Sequence, residues 1–328
     1  MVGVFPGDIW LSQAFQSLGD WVMPIMSFFT WLGYPQAYMI AVAIIYWSID
    51  RKMGLRLAIF LPLVASLNSI LKQAFHAPRP FWIDPDIKAI RISNGFGMPS
   101  GHAQASVVWL YAAMHIRRRW FWITAIAAAV LIGISRIYLG VHFSSQVVAG
   151  WLTGIVVLVL FSSYESRVLA WFLSRKFSGQ LLVISGITAG SFMLGALILF
   201  FTRDWEVPAD WIENAALYLE ARDESILSSR GLSAVAGNCG GFLGVALGAL
   251  LAHRKGGFEQ GRSGWQRVGR SAAGLLLLTA IYLLFSWISP DQDKETLAAC
   301  WQFSGFFVIS FFVIFLYPFA CEKIRPLS

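Results

Sequence analysis

The chain has 328 residues, 57% of them hydrophobic and 13% charged, against roughly 45–50% and 25% in a soluble domain. That balance excludes a water-soluble globular protein and points to a chain embedded in a membrane. The formal net charge of +7 then reads as basic loops meeting anionic headgroups rather than as a nucleic-acid footprint. Three cysteines, Cys239, Cys300 and Cys321, make neither a disulfide framework nor a metal set.

Residues 8–32 carry Trp10, Phe15, Leu18, Trp21, Met26 and Phe29, interrupted by Asp8, Gln13, Gln16 and Asp20. The pattern predicts an amphipathic helix lying in the membrane interface and ended by Gly33 and Pro35. No basic n-region precedes it, so a cleavable signal peptide is not expected. Five spans are predicted next, at about 36–48, 54–74, 102–116, 120–138 and 143–163. Arg51, Lys52 and Arg56 join the first pair, Arg117, Arg118 and Arg119 join the third and fourth, and Arg167, Arg175 and Lys176 follow the fifth. By the positive-inside rule these clusters are cytoplasmic. The opposite ends, with Lys72, His102, Arg136 and His142, then face outward, as does the loop 75–101 with Arg79.

Four more spans are predicted at about 181–201, 232–252, 271–288 and 300–320. The loop 253–270, with His253, Arg254, Lys255, Arg262, Arg267 and Arg270, is cytoplasmic by the same rule, and the tail Glu322-Lys323-Ile324-Arg325 ends inside. The outward loop 202–231 is acidic (Asp204, Glu206, Asp210, Glu213, Glu220, Asp223, Glu224), and its Trp205, Trp211, Ile212, Leu217 and Leu219 predict a second interfacial helix. Gly237, Gly240, Gly241, Gly244 and Gly248 predict one helix packed closely on a neighbour. The expected fold class is therefore all-α: a polytopic membrane helical bundle of about nine transmembrane helices plus an N-terminal interfacial helix. Ser178-Gly179 marks an expected boundary between a chemistry-bearing domain, 1–178, and a C-terminal membrane region of four helices, 179–328.

The outward face gathers the chemistry. Lys72 ends the second span, Arg79-Pro80 follows, Pro99-Ser100-Gly101-His102 opens the third span, Ser135-Arg136 ends the fourth, and His142 comes six residues later. The hairpin of spans three and four returns the chain to one surface, so His102 and His142 can approach each other. Three fixed cations and two histidines around a helix N-terminus suit phosphoryl transfer without a metal. Lys72, Arg79 and Arg136 would hold the phosphoryl oxygens, and Ser100 with the backbone N–H groups of Gly101 and His102 would complete the cradle. One imidazole attacks phosphorus while the other protonates the leaving oxygen. No Asp/Glu/His cluster with metal-ligand spacing is present, so no metal or other cofactor is expected.

The segments Lys72-x6-Arg79-Pro80, Pro99-Ser100-Gly101-His102 and Ser135-Arg136-x5-His142 resemble, in order and spacing, the three-part signature of the type 2 phosphatidic acid phosphatase (PAP2) superfamily. The resemblance covers about residues 8–165. It implies that His142 is the nucleophile, that His102 is the general acid, and that Lys72, Arg79, Ser100, Gly101 and Arg136 bind phosphate. The family pattern continues from the nucleophile with three residues and Asp, whereas this chain has Phe143-Ser144-Ser145-Gln146. Gln146 can orient the imidazole through its carbonyl but supplies no charge. The run from Ser135 to Gly150 and Arg79-Pro80-Phe81-Trp82 are similar to the glucose-6-phosphatase branch of the same superfamily.

The resemblance implies an integral membrane phosphatase acting at the outer membrane face through a metal-independent phosphohistidine intermediate. A membrane lipid phosphate or polyprenyl diphosphate is the expected substrate, and the lipid bilayer the expected partner, with no nucleic acid; nothing in the sequence sets the oligomeric state. A glucose-6-phosphatase-like sugar phosphatase and a lipid phosphotransferase are the alternatives within the same chemistry. A non-catalytic lipid-binding scaffold that keeps the anion site is the alternative of a different class. Short loops favour the bacterial inner membrane, with the site on the periplasmic side.

Overall fold

The computed structural model describes residues 5–92, 95–219, 230–258, 263–290 and 294–323. Every regular element among the described residues is helical. Seven helices there are long and apolar enough to cross a membrane: the Arg51–Ile83 stretch, Arg119–Tyr138, Ser144–Leu173, Phe177–Phe201, Ser233–Arg254, Gly264–Trp287 and Glu295–Lys323. A bent pair, Asp20–Leu32 with Pro35–Ile49, brings the number to eight if it counts as one span. The expected number of nine is not confirmed among the described residues. The third expected span, at about 102–116, corresponds to two short helices, Gly101–Ser106 and Val108–Ile116, which together fall below the usual spanning length. Expected charges at Glu220, Asp223, Glu224, Arg262 and Arg325, with Ile324, lie outside the described residues.

The chain divides into two compact units. The first comprises Met1–Pro35, Leu67–Ser163 and Gly195–Gly231, and the second Gln36–Ser66, Tyr164–Leu194 and Leu232–Ser328. The position of the expected boundary, near 178, falls within the helix Phe177–Phe201.

In the first unit the single helix expected over 8–32 is two. Helix α1 (Pro6–Gln16) and helix α2 (Met23–Leu32) are separated by a turn at Gly19 and a 3-10 turn, Asp20–Val22. After α3 (Pro35–Ile44), whose residues pass into the second unit, α4 (Arg51–Phe75) brings Lys72 to its last turn. A one-turn helix, α5 (Pro80–Ile83), starts on the proline after Arg79, where the missing N–H is no loss. Then come α6 (Gly101–Ser106), α7 (Val108–Ile116), α8 (Arg119–Tyr138) and α9 (Ser144–Leu173). Helix α8 is the hub of this unit: α1, α2, α6 and α7 all pack on it. Its C-terminal turns are buried from Ile132 to Tyr138, apart from Ile134. This carries Arg136 into the interior and starts the short loop 139–143. The loop turns at Gly140, where φ is +72° and a Cβ would lie 2.2 Å from the Lys88 carbonyl oxygen. Only glycine meets both demands.

Helix α10 (Phe177–Phe201) leads from the second unit into the first, and α11 (Ala209–Leu219) is the helix expected in the acidic loop. It packs on α5 through a buried cluster of Phe81, Trp82, Phe96, Trp211 and Ala215, with Trp205 and Tyr218 against it. Asn214 Nδ2 donates to the Trp82 carbonyl (3.0 Å), and the Tyr218 hydroxyl to that of Pro85 (3.2 Å).

The second unit is built on α12 (Ser233–Arg254), α13 (Gly264–Trp287) and α14 (Glu295–Phe311), with α15 (Tyr317–Lys323) at its end. The glycine stripe of α12 lies against α14 as its spacing predicts. A Cβ at Gly240 or Gly244 would overlap the carbonyl oxygens of Phe303 or Phe307, at 2.0 and 2.5 Å. Small residues let the two backbones touch where apolar surface alone gives no driving force. Each of two wide, π-type turns, Ile45–Ile49 and Phe312–Leu316, loosens its helix. The loosened carbonyls find partners within the unit: Tyr46 donates its hydroxyl to Ile314 (3.0 Å) and Trp47 its indole N–H to Val313 (2.8 Å). Such pairing is what a hydrocarbon surrounding demands. The three cysteines are free thiols.

Candidate active site

The eight residues expected to form the site belong to the first compact unit. Lys72 comes from the end of α4, Arg79 from the turn before α5, and Ser100, Gly101 and His102 from the start of α6. Arg136 ends α8, His142 sits in the following loop, and Gln146 lies in the first turn of α9. Lys72, Arg79 and Arg136 each act electrostatically on both His102 and His142. The structure thus gathers three cations around two imidazoles that are forty positions apart in the chain.

His142 is held at both ring nitrogens. Gln146 Oε1 lies 3.1 Å from its Nδ1, and the same oxygen accepts the Phe143 backbone N–H at 3.2 Å. Gln146 Nε2 donates to the Pro78 carbonyl at 2.7 Å. These contacts fix which end of the amide is oxygen, so Nδ1 of His142 must carry the proton. On the other side of the ring, Nη1 of Arg79 lies 3.5 Å from Nε2. A guanidinium only donates, so Nε2 must offer its lone pair. Two independent partners therefore impose one tautomer, with the free lone pair directed at a cation.

Arg79 is fully buried at 0% exposure and tied to three backbone carbonyls. Its Nε donates to Gly95 (2.7 Å), Nη1 to Val141 (2.7 Å) and Nη2 to Phe96 (3.4 Å). Arg136, 1% exposed, donates from Nη1 to the Thr30 hydroxyl, and the Tyr34 side chain hydrogen-bonds the same guanidinium.

Ser100 occupies the N-cap position of α6, but its hydroxyl makes no capping bond. Its backbone N–H donates to the Gln146 carbonyl at 2.9 Å, which locks the start of α6 to α9. Ser100 Oγ, His102 Nε2 and Arg136 Nε are all buried without a hydrogen-bond partner in the protein. Buried polar atoms of this kind are costly unless a ligand meets them. A hydroxyl, an imidazole nitrogen and a guanidinium N–H grouped with two further cations match a tetrahedral oxyanion.

Several supporting residues escape a reading of the sequence. Asn68 donates from Nδ2 to the Pro99 carbonyl (3.1 Å) and to Gln104 Oε1 (2.7 Å), bracing the turn before Ser100. The Tyr34 ring stands edge-on to His102, 4.8 Å between centroids. Thr30 comes from the last turn of α2 and Tyr34 from the break after it, which the sequence marks only as a helix end. A polar side chain on an otherwise apolar span was the available signal for Asn68. His76 lies between Phe96 and Trp205, with ring centroids 4.9 and 4.5 Å away, and is part of the packing beneath α11.

Residues 52–170 match the PAP2 superfamily, and residues 236–326 match the transmembrane extension of PAP2 superfamily phosphatases. Undecaprenyl-diphosphatase of Sulfolobus acidocaldarius is 32% identical over 117 residues, covering 35% of this chain and 57% of that protein. Glucose-6-phosphatase catalytic subunit 1 of Haplochromis nubilus is 26% identical over 318 residues, covering 87% of this chain and 86% of that protein. The crystal structure of a transmembrane PAP2 type phosphatidylglycerolphosphate phosphatase from Bacillus subtilis is 24% identical. Its likeness has a TM-score of 0.42 and covers 52% of this chain and 87% of that one. The eight site residues all fall within the stretch 52–170.

Proposed function

This chain belongs to the PAP2 superfamily of membrane phosphatases, and from that premise we propose that it hydrolyses phosphate esters through a phosphohistidine on His142. The observation that carries the reading is the tautomer imposed on His142, Nδ1–H to Gln146 and Nε2 lone pair toward Arg79. Nε2 attacks phosphorus, a P–N bond forms, and the P–O bond to the leaving group breaks. His102 gives its proton to the leaving oxygen. Water then attacks phosphorus, His102 takes a proton from that water, and the P–N bond breaks to release phosphate. Lys72, Arg79 and Arg136 neutralise charge on the phosphoryl oxygens, while Ser100 and the N–H groups of Gly101 and His102 complete the cradle. Three fixed cations perform the task a metal ion performs elsewhere, so the reaction needs none. The site residues all lie within 67–163 of the first compact unit, to which residues 195–231 also belong.

The first substrate reading is a phosphate or diphosphate on a lipid or polyprenyl chain, reached at the outer face of a bacterial inner membrane. The 32% identity to an undecaprenyl-diphosphatase over 117 residues supports it. A soluble sugar phosphate is the second reading. Similarity to a glucose-6-phosphatase runs through 87% of the chain, well past the site-bearing stretch. Purified protein given polyprenyl diphosphate, phosphatidate, phosphatidylglycerophosphate and glucose 6-phosphate in the presence of a chelator is expected to release phosphate from one class. Silence on the whole panel favours the non-catalytic scaffold. A strict need for added divalent metal overturns the metal-free mechanism. Transfer to an added alcohol in place of water marks a phosphotransferase.

The pH profile tests the His142 assignment. Burial holds this imidazole well below the usual histidine value of 6.5, the charges of Arg79, Lys72 and Arg136 push the same way, and the hydrogen bond to Gln146 opposes them. The neutral, nucleophilic form therefore persists into acid. The acid limb of kcat/KM is expected below pH 6.5, with activity lost as pH falls through the lowered value. Gln146→Asp places a carboxylate beside Nδ1, stabilises the imidazolium and should move that limb to higher pH. A limb that stays in place shows that Gln146 does not govern this ring.

A further inference from the structure

The carboxylate that the family pattern places four residues after the nucleophile is Gln146 here, yet the first turn of α9 still meets a carboxylate. It comes from α1. The Ser144 hydroxyl donates to Asp8 Oδ1 at 2.6 Å, and the Ser145 backbone N–H donates to the same oxygen at 3.0 Å. The Ser145 hydroxyl donates to Asp8 Oδ2 at 2.6 Å, and the Phe5 N–H also reaches that oxygen at 3.0 Å. Asp8 is only 2% exposed, and more than 130 residues of chain separate it from these serines. A carboxylate at a helix start satisfies an orphan N–H and meets the positive end of the helix dipole. Here it does so for the helix that begins two residues after His142.

The other end of α1 grips the other side of the same loop. Gln16 Nε2 donates to the Lys88 carbonyl (2.7 Å) and to the Tyr138 carbonyl (3.2 Å), and Gln16 Oε1 accepts the Lys88 N–H (3.1 Å). Between the two grips, Phe15 packs against the buried cluster that contains Tyr138, Leu139 and Val141 and against the one that contains Ile137 and Val147. One helix thus spans the loop 139–143 from the end of α8 to the start of α9. Burial opposes the charge on Asp8, but the donors from Ser144, Ser145 and Phe5 outweigh it and hold the carboxyl below its ordinary range.

We propose that Asp8 is a positioning residue for His142: its buried carboxylate pins the first turn of α9, and α1 acts as a clamp that keeps the imidazole aimed at the phosphoryl group. The proposal rests on the reading of His142 as nucleophile. Attack requires the reacting atoms near 3–3.5 Å, and a displacement of about 1 Å is worth ~10²-fold in rate. Asp8 touches neither substrate nor imidazole, so its loss acts on the chemical step and leaves phosphate binding intact.

The experiment compares wild type, Asp8→Ala, Asp8→Asn, the pair Ser144→Ala with Ser145→Ala, and His142→Ala in the full-length protein, using the substrate found active. Sites are counted by titration with vanadate, so kcat refers to folded sites alone. Asp8→Ala is expected to lower kcat per site by about 10²-fold, with KM and vanadate affinity changed less than about threefold. The serine pair should lower kcat similarly. The triple variant Asp8→Ala, Ser144→Ala, Ser145→Ala should be no worse than either, because all three residues serve one contact. Asp8→Asn keeps one acceptor oxygen and should recover part of the rate. If Asp8→Ala yields too little folded protein, the serine pair and Asp8→Asn carry the test. Unchanged kcat per site, or a loss that appears wholly in KM or in the number of sites, overturns the proposal. Activity persisting in His142→Ala overturns the nucleophile reading instead.

Discussion

His142→Ala is expected to abolish turnover, lowering kcat by about 10⁴-fold or more, the scale on which removal of a nucleophile is felt. The structure makes this a clean experiment. Without the ring, Gln146 Oε1 still accepts the Phe143 N–H, and Arg79 Nη1 still donates to the Val141 carbonyl. No buried polar group loses its last partner, so the thermal midpoint should move little while activity vanishes. His102→Ala should cost less, about 10²–10⁴-fold, because an aqueous proton can replace a general acid in part. The leaving group separates the two roles. A nitrophenyl phosphate needs little protonation on departure, so His102→Ala should form phosphoenzyme from it at near-normal rate and then stall, since the same imidazole activates the water. Acid-stable, base-labile chemistry is wrong for phosphohistidine, which is lost in acid and survives alkali, so the trapped label identifies its own residue type. Combining both substitutions should be no worse than His142→Ala alone. A phosphoenzyme that still forms in His142→Ala would move the nucleophile elsewhere.

The parts of this site that were legible in the sequence are those where chemistry narrows the choice of residue. A lysine, two arginines and two histidines at the ends of apolar segments stand out because charge in such places needs a reason. The topology of a hairpin was enough to bring His102 and His142 to one surface. What stayed hidden depends on tertiary contacts between distant polar groups. Asp8 reads as an interruption in an interfacial helix, and only the fold shows it holding Ser144 and Ser145. Thr30 and Tyr34 sit at a helix end, where nothing local marks them as partners of Arg136. Helix lengths missed for a related reason. The fifth span is expected over about 143–163, yet α9 continues to Leu173, and Glu165 within it is paired with Arg56 of α4 at 3.3 Å. The third span is expected as one helix, whereas the backbone breaks between α6 and α7 at Val107. Apolar periodicity carries no sign of such a break.

Arg79 is where the largest combined loss of stability and activity is expected. Its guanidinium joins two loops: Nε and Nη2 hold the carbonyls of Gly95 and Phe96, and Nη1 holds that of Val141, one residue before His142. Trp82, Trp205 and His76 pack around the Phe96 ring, so the grip on this loop passes through the aromatic layer beneath α11 to the guanidinium and on to His142. Arg79→Ala removes the donors for three buried carbonyls at about 1–3 kcal/mol each, not fully additive, so a loss of about 3–5 kcal/mol is expected. Whatever fraction folds also lacks one of the three cations proposed to bind phosphate, a further ~10²–10³-fold in kcat. Arg79→Lys separates the two effects. An ammonium keeps the charge but cannot reach Gly95, Phe96 and Val141 together, because its three donors radiate from one atom while the guanidinium spreads five over a planar fork. Lysine should therefore restore part of the phosphate affinity, read as vanadate binding, while leaving the thermal midpoint well below that of wild type and kcat still depressed by the misplaced His142. A lysine variant as stable and as active as wild type would show that charge alone is what the site requires of this position, and that the bridge between the two loops is incidental to catalysis.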